Sequence, residues 1–461
     1  MRKFPLYLAM AAAVASTTAT ADDASEYYRV YQPFHKVVYY DGYNDNVFDK
    51  DLQDGILRHR NSLYAKKLTD QNLDWFGLDT KMKVTIGALC DNYDRIGNIS
   101  VALVPKGAET YNPDEVQRIE LARFITPFMN KNIMPDEVPY SFDANLMSMI
   151  FHDLDLRDKF DLWLEFELFG IPYAANQQVK GCADRNDVFA GTLQFISYDE
   201  PAKSSRDHVL VPIVMKKPEY KGHNFNNYSE LGTDTIGTAT KTYKFTVPEG
   251  GVADSNLTLI MSNHGANAGG EEYSPRLHLL YFDGELIATW RNGKSCEPYR
   301  YYNTQGNGIY GNYVLTEKAW KSRSNWCPGD AIPTRVFALG NLPAGEHEVM
   351  IRVPEAKFVD NQGDFPVSMY FQASKSGQLP VGIDENALDA DSPKILRSGD
   401  VVRLEYGNVV EVSVYSYDGA FLYGRHTSSP EVSLVGFTPG IYLVNFTLDD
   451  GTTITHKTIK N

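Results

Sequence analysis

Twice between residues 76 and 376 the chain runs through short apolar segments, each cut off by Gly, Pro, Asn or Asp. No other feature constrains the fold as strongly. Alternation with period two buries one face of a strand, and a helix has no use for it. In the first passage Met82-Lys-Val-Thr-Ile86 alternates and Ile99 to Val104 is a continuous run. Ile119 to Ile125 leads into Thr126-Pro127-Phe128, and Phe160 to Phe169 alternates in part. The second passage offers Val209 to Met215, Tyr243 to Val247, Leu257 to Ser262, Glu346 to Val353 and Ser368 to Ser374. Between them lies the clearest hairpin: Leu277 to Phe282, then Asp283-Gly284, then Glu285 to Trp290. Asp-Gly supplies the positive φ values of a type I′ turn. One short helix is predicted over Ala144 to Phe151, with Asp143 as its cap.

The prediction is a mainly β chain with two adjacent antiparallel jelly-roll sandwiches, over 76–203 and 204–376. The 29 Tyr, 23 Phe, 35 Gly and 23 Pro favour strands and turns over long helices. Residues 22–75 read as a small leading module, with a helix over 51–68 on Leu52, Ile56, Leu57 and Leu63. A linker rich in Asp, Ser, Gly and Pro covers 377–398, and a small β-sandwich covers 399–461.

The net charge of −15 and the lack of basic runs beyond Lys66-Lys67 and Lys216-Lys217 argue against a nucleic-acid partner. A neutral, carbohydrate-like partner fits better. Residues 1–21 read as a signal peptide: Arg2 and Lys3, an apolar stretch from Phe4 to Val14, then small residues before Asp22. The stretch is too short to span a membrane, and no other run is long enough. The chain is therefore expected to be exported, to the periplasm, the cell surface or the medium. Cys90, Cys182, Cys296 and Cys327 are even in number, so disulfides are expected, with three pairings open. No spacing of Cys and His suggests zinc.

Cys90-Asp-Asn-Tyr-Asp-Arg95 stands out chemically. It interrupts strand-like sequence with Asp91, Asp94, Arg95 and Tyr93. A carboxylate beside a guanidinium suits a group that handles protons or orients water. Taken alone, such a stretch is better explained by a solvated loop with a surface ion pair.

Three stretches together resemble the peptide:N-glycosidase F family of bacterial amidases. They are Cys90-Asp-Asn-Tyr-Asp-Arg95, Ala122-Arg-Phe-Ile-Thr-Pro-Phe128 and Trp326-Cys-Pro-Gly-Asp-Ala-Ile-Pro-Thr-Arg335. The family's versions are Cys-Asp-Glu-Trp-Asp-Arg, Gly-Arg-Phe-Ile-Thr-Pro-Tyr and Trp-Cys-Pro-Gly-Met-Ala-Val-Pro-Thr-Arg. The likeness covers roughly 76–375 and implies two jelly rolls with the active site between them. The leading module resembles an extra N-terminal bowl-like domain of some members. The tail, with Tyr417-Asp-Gly419 and Gly440-Ile-Tyr-Leu-Val444, looks like a type IX secretion sorting domain, which implies contact with secretion machinery.

Carried over residue by residue, the resemblance puts the principal catalytic aspartate on Asp94 and its arginine on Arg95. Gly270 to His278 matches the segment of the second carboxylate, which falls on Glu272, with Glu271 one residue away. A third glutamate falls on Glu165, with Glu167 as alternative. Arg323 falls on a substrate-contacting arginine, and Tyr93, Tyr273, His264 and Trp326 line the same site. The family's disulfide implies Cys296–Cys327. Cys90 and Cys182 then remain, a bond the resemblance does not itself supply. The implied activity is hydrolysis of the amide between asparagine and the first N-acetylglucosamine of an N-linked glycan, leaving aspartate. N-glycosylated peptides and proteins are the implied partners, with no metal or organic cofactor and the chain acting as a monomer. Two rivals stand beside it: a non-catalytic glycan-binding surface protein, and a glycosidase using a carboxylate pair.

Overall fold

The computed structural model describes residues 28–44, 52–214, 239–265, 271–356, 365–375, 394–398, 400–405, 407–416, 421–449 and 453–460. The expected signal peptide, Lys216-Lys217, residues 377–393 of the expected linker and the turn at Tyr417 to Gly419 lie outside them. The protein is mostly strand, arranged as antiparallel sheets in two sandwiches followed by a smaller β unit.

The first sandwich has a four-stranded sheet in the order Arg29–Tyr40, Asp187–Ser197, Thr80–Ala88, Glu137–Asp143. Facing it is a six-stranded sheet: Ala331–Ile332, Gln117–Ile125, Ile96–Pro105, Phe160–Leu168, Leu63–Lys67, Ile56–Arg60. Met82, Val84 and Ile86 point inward from Thr80–Ala88 and meet Ile99, Val101, Leu121, Phe124, Leu164 and Phe166 from the other sheet. The alternation read from the sequence is thus the inward set of one strand.

Three local expectations change. Residues 51–68 are not helical: Ile56–Arg60 and Leu63–Lys67 form a hairpin whose second strand pairs with Phe160–Leu168. Their apolar residues were too unevenly spaced for a helical stripe, and the open edge of the sheet takes them as strands. With Arg29–Tyr40 paired to Asp187–Ser197, residues 29–67 are part of the first sandwich rather than a separate module. The helix runs Asn145–Phe151 with Ala144 at its cap position and no side-chain cap bond. Asp143 instead ends a strand and pairs with Lys81.

The second sandwich faces the order His208–Val214, Val367–Ser374, Val252–Met261, Thr334–Leu342 against Ala239–Val247, Gly345–Val353, Leu277–Phe282, Glu285–Arg291. The Asp283-Gly284 hairpin forms, with positive φ at both residues (46° and 81°). Its core includes Leu257, Leu259, Leu280, Val349, Ile351 and Phe371. Val367–Ser374 is buried along its whole length, because its other face lies against the first sandwich. There Arg123 forms a two-point pair with Glu120 and also donates to Ser262 Oγ (2.8 Å) and the Pro366 carbonyl (2.9 Å). Ser368 donates to Glu120. Ala331–Ile332, from the second half of the chain, extends the first sandwich's sheet at Phe124 and Arg123.

The terminal unit pairs Lys394–Ser398 with Val401–Glu405 and Glu431–Ser433, beside a sheet of Phe421–His426, Val409–Ser416, Gly440–Leu448 and Thr453–Lys460. Val412, Val414, Val444 and Phe446 fill its core. No helix among the described residues is long and apolar enough to cross a membrane.

Candidate active site

The loop before Ile96–Pro105 is organised by Asp91 rather than by Asp94. The Asp91 carboxylate is fully buried and accepts from Arg95 Nε (2.6 Å), the Ile171 amide (2.6 Å) and the Tyr93 amide (2.9 Å). Arg95 Nη2 lies 3.3 Å from its second oxygen. Thr126 fixes the other side: its hydroxyl accepts from the Arg95 amide (2.7 Å) and donates to the Tyr93 carbonyl (3.1 Å). The Cys90–Cys182 disulfide ties the loop to the segment following Ile171. With its backbone held at both neighbours, Asp94 is presented as a half-buried carboxylate.

The two adjacent glutamates have different surroundings. Glu271 is fully buried and forms a two-point pair with Arg276 (2.7 and 3.1 Å), so it serves the loop. Glu272 instead lies near enough to Asp94 for its charge to act on that carboxyl. Its amide donates to the Gly265 carbonyl (3.2 Å), and the Gly265 amide and the Tyr273 hydroxyl donate to its carboxylate. Gly265 sits at φ 113°, a conformation glycine adopts without strain. Asn325 Nδ2 donates to the carbonyls of both Glu271 (2.5 Å) and Glu272 (2.7 Å). The three stretches singled out in the sequence therefore converge. The first carries Asp94, the second supplies Thr126, and the third, with Asn325 just before it, holds Glu272.

Burial pushes the Asp94 carboxyl up, and the nearby charge of Glu272 pushes it further, to about 7, against the opposing pull of Arg95. Burial also raises Glu272, but the Tyr273 hydroxyl and the Gly265 amide stabilise its anion. Glu272 thus ionises first, and Asp94 keeps its proton towards neutrality. Among the described residues no group of three His, Cys, Asp or Glu side chains comes together to hold a metal.

Tyr93 and Tyr273 are each 38% exposed. Arg95 lies over the Tyr93 ring at 5.4 Å, and Arg323 is close enough to Tyr273 for its charge to act on the phenol. His264 accepts or donates at Ser262 Oγ (2.7 Å) and lies 5.5 Å from the ring of Trp326. Burial first, then Arg123, lowers its pKa to about 3, so it stays neutral. Trp326 is buried and donates from Nε1 to the Asn263 carbonyl (2.8 Å). The Cys296–Cys327 disulfide anchors this segment.

Glu165 is not brought to this site. Its register partner is Ser100, six residues along the strand from Asp94, or roughly 20 Å at 3.3 Å per residue. Its carboxylate binds Arg118 (2.7 and 3.1 Å) and the Tyr111 hydroxyl (2.8 Å). Glu167, opposite Asn98, is nearer. It bonds Asn98 Nδ2 at 3.4 Å and pairs with Arg60. Strand alternation puts both glutamates on one face, so the sequence alone did not separate them.

Sequence reasoning missed Tyr173. It is 60% exposed and stacks on Tyr93 (6.5 Å, 27°), which extends the aromatic surface beside Asp94. The signal was indirect: Cys182 nearby, once bonded to Cys90, brings the loop to the site. Asn325 was missed as well, lying one residue before a recognised motif.

Comparisons with known proteins show similarity in family and in fold. The family model described as "Peptide-N-glycosidase F, N terminal" matches residues 34–182, and "Peptide-N-glycosidase F, C terminal" matches 231–372. Among solved structures, PNGF-II in two crystal forms is similar at TM-scores of 0.53 and 0.52, with 18% and 17% identity. Each covers 75% of this chain, and the chain spans 65% of PNGF-II, so the likeness is one of fold over part of that protein. PNGase F, a glycosylasparaginase from Flavobacterium meningosepticum, aligns at TM-score 0.48 and 15% identity, over 76% of this chain and 96% of that one. A comparison with curated proteins finds no match.

Proposed function

We propose that this chain, which belongs to the peptide-N-glycosidase F-like family, hydrolyses the amide bond between asparagine and the first N-acetylglucosamine of N-linked glycans. The observation that carries the reading is the pairing of Asp94 and Glu272 from the two sandwiches, close enough for one charge to shift the other's titration. Around the pair lie two arginines and three exposed tyrosines, suited to orienting a polar substrate and stacking on sugar rings.

Ionised Glu272 takes a proton from water as the oxygen attacks the amide carbonyl carbon. Asp94 gives its proton to the amide nitrogen as the carbon–nitrogen bond breaks. The peptide is left with aspartate and the glycan with a 1-amino sugar, which hydrolyses later in solution. Glu272 then carries the proton taken from water while Asp94 is left ionised, and exchange with solvent restores the pair. Arg95 restrains Asp94, Arg323 orients the glycan core, and His264 and Trp326 form the wall behind Glu272.

The test is to incubate the protein with a glycopeptide in oxygen-18 water and weigh the peptide. Loss of the whole glycan with aspartate carrying one heavy oxygen is expected. A peptide that keeps asparagine but loses sugar makes the chain a glycosidase, and an unchanged peptide makes it a binding protein. Because Asp94 must hold its proton, log kcat/KM should fall with a slope of about −1 above pH ~7, and fall again in acid as Glu272 protonates. A rate that rises through pH 7 reverses the two roles.

The neighbouring glutamates should also separate by experiment. Glu272→Gln should lower kcat by about 10²-fold or more with the melting temperature retained. Glu271→Gln, which breaks the buried pair with Arg276, should cost about 2 kcal/mol of stability before it costs turnover. Parallel thermal melts and initial rates decide it.

A further inference from the structure

The connection from Phe169 to Tyr173 follows the strand Phe160–Leu168 and has an exposed tyrosine ring at each end. At one end Tyr43, 54% exposed, packs edge-on against Phe169 (5.2 Å, 71°). At the other, Tyr173 stacks on Tyr93.

Both rings stand on fixed backbone. The turn after the leading strand Arg29–Tyr40 carries Tyr43. There the Gly42 amide donates to the Gly170 carbonyl (2.9 Å) and the Tyr43 amide to Asp41 Oδ1 (3.0 Å). Asn61 Nδ2 donates to the carbonyls of Asp41 (3.1 Å) and Asn44 (3.2 Å). A Cβ on Gly42 would run into the Phe169 ring, so glycine is what lets the turn lie against it. At the Tyr173 end the Ile171 amide donates to Asp91 (2.6 Å) and the Asn176 amide to the Pro172 carbonyl (2.9 Å). Asn176 Nδ2 donates to the carbonyls of Cys182 (2.6 Å) and Arg185 (3.0 Å), and Cys182 is bonded to Cys90. Aromatic rings held in place by their backbone yet left in water lose little freedom on meeting a ligand, and such surface marks a binding face.

Four residues of chain reach at most about 14 Å, so the two mounts are the ends of one short track. Its near end is the candidate active site: Tyr93 adjoins Asp94, and Tyr173 is close enough to Arg95 for the phenol to act on the guanidinium. Tyr43 stands at the far end. The track is longer than one pyranose ring. Asp94 gives its proton to the nitrogen that carries the glycan, so rings on the Asp94 side face the departing sugar chain. The peptide stays with the carbonyl that water attacks from the Glu272 side.

We propose that Tyr173 and Tyr43 are specificity-determining residues for glycan length, with Tyr173 stacking on a sugar beyond the first and Tyr43 on one further out. The direction of the track rests on the amidase reading. The stacking of sugar on the two rings does not.

The experiment uses one peptide carrying a single N-acetylglucosamine, a disaccharide or a long neutral glycan, with initial rates for the parent, Tyr43→Ala and Tyr173→Ala. The parent KM should fall as the glycan grows. Tyr43→Ala should raise KM for the long glycan at least about threefold more than for the single sugar, with kcat changed by less than about twofold. Tyr43→Phe, which keeps the ring, should restore it. Tyr173→Ala should show the same split, beginning at the disaccharide. Both side chains are exposed, so neither variant should fail to fold. An equal rise in KM for all three glycans, a KM that follows the length of the peptide instead, or no change in either alanine variant overturns the proposal. If no substrate is cleaved, the amidase reading fails and the rings are decided by saturation-transfer NMR with the free long glycan. Its binding should weaken at least about threefold in each alanine variant, and absent or unchanged binding overturns the proposal.

Discussion

Asp94→Asn is expected to lower the rate of glycopeptide cleavage by about 10³-fold and at the same time to make the protein more stable at alkaline pH. The first effect follows from the role of the proton. Asparagine fills the same space but has no acidic hydrogen for the departing nitrogen, and removal of a general acid costs about 10²–10⁴-fold. The second follows from linkage. The folded pKa of Asp94 is raised from 3.8 to about 7. A group with a raised carboxyl pKa binds its proton more tightly in the folded state than in the unfolded one. Below about pH 4 both states hold the proton and nothing is lost. Between there and about pH 7 the unfolded chain releases it first, so stability falls as pH rises. Above about 7 the cost is constant, at an order of 2–4 kcal/mol. Asparagine carries none of it, so the variant and the parent should melt alike in acid and diverge above neutrality. Rates on a defined glycopeptide and melts at pH 4 and pH 8 test both halves. Wild-type turnover in the variant removes Asp94 from the chemistry. Identical melts at pH 8 remove the raised pKa of Asp94, and with it both the cost of its burial and the repulsion from Glu272.

Much of this was legible because strand periodicity survives in the sequence wherever one face is buried. Met82, Val84 and Ile86 declared their strand, and Asp283-Gly284 declared its turn. The motifs around Asp94 and Trp326 were legible for a different reason: each packs polar groups that only make sense when paired. The segment after Asp51 misled because Ile56 to Lys67 carries too few apolar residues to fix a period, and its form is decided by the sheet edge it joins. Glu165 misled because position on a strand gives the face but not the distance along it. Arg118 and Tyr111 claim Glu165, and they come from a strand and a loop whose approach no local pattern announces. Asp91 was visible as a charge, but its task required knowing that Ile171, eighty positions on, would donate to it.

The largest expected loss of stability lies at Arg123. Its side chain is fully buried between the sandwiches, with Glu120 equally enclosed. Arg123→Met removes five-donor chemistry and leaves the Glu120 charge with Ser368 as its neighbour. Breaking one side of a buried pair costs about 3–5 kcal/mol, because the remaining charge keeps its desolvation penalty and loses its compensation. A second substitution, Glu120→Gln, removes that charge and should return much of the loss, so the two changes are expected to be strongly non-additive. Urea midpoints for the two single variants and the double variant measure the coupling. The consequence extends to the site. Arg123 donates to Ser262 Oγ, which in turn meets His264 Nε2, and the Arg123 charge helps to keep that histidine neutral. In Arg123→Met the pKa of His264 should therefore rise from about 3, although burial, its larger cause, continues to hold it below the ordinary value. An NMR titration of the ring reads this directly. A loss of stability without any movement of His264 would show that Arg123 only joins the sandwiches. Movement of both ties the interface to the wall behind Glu272, because one guanidinium then serves the joint and the site together.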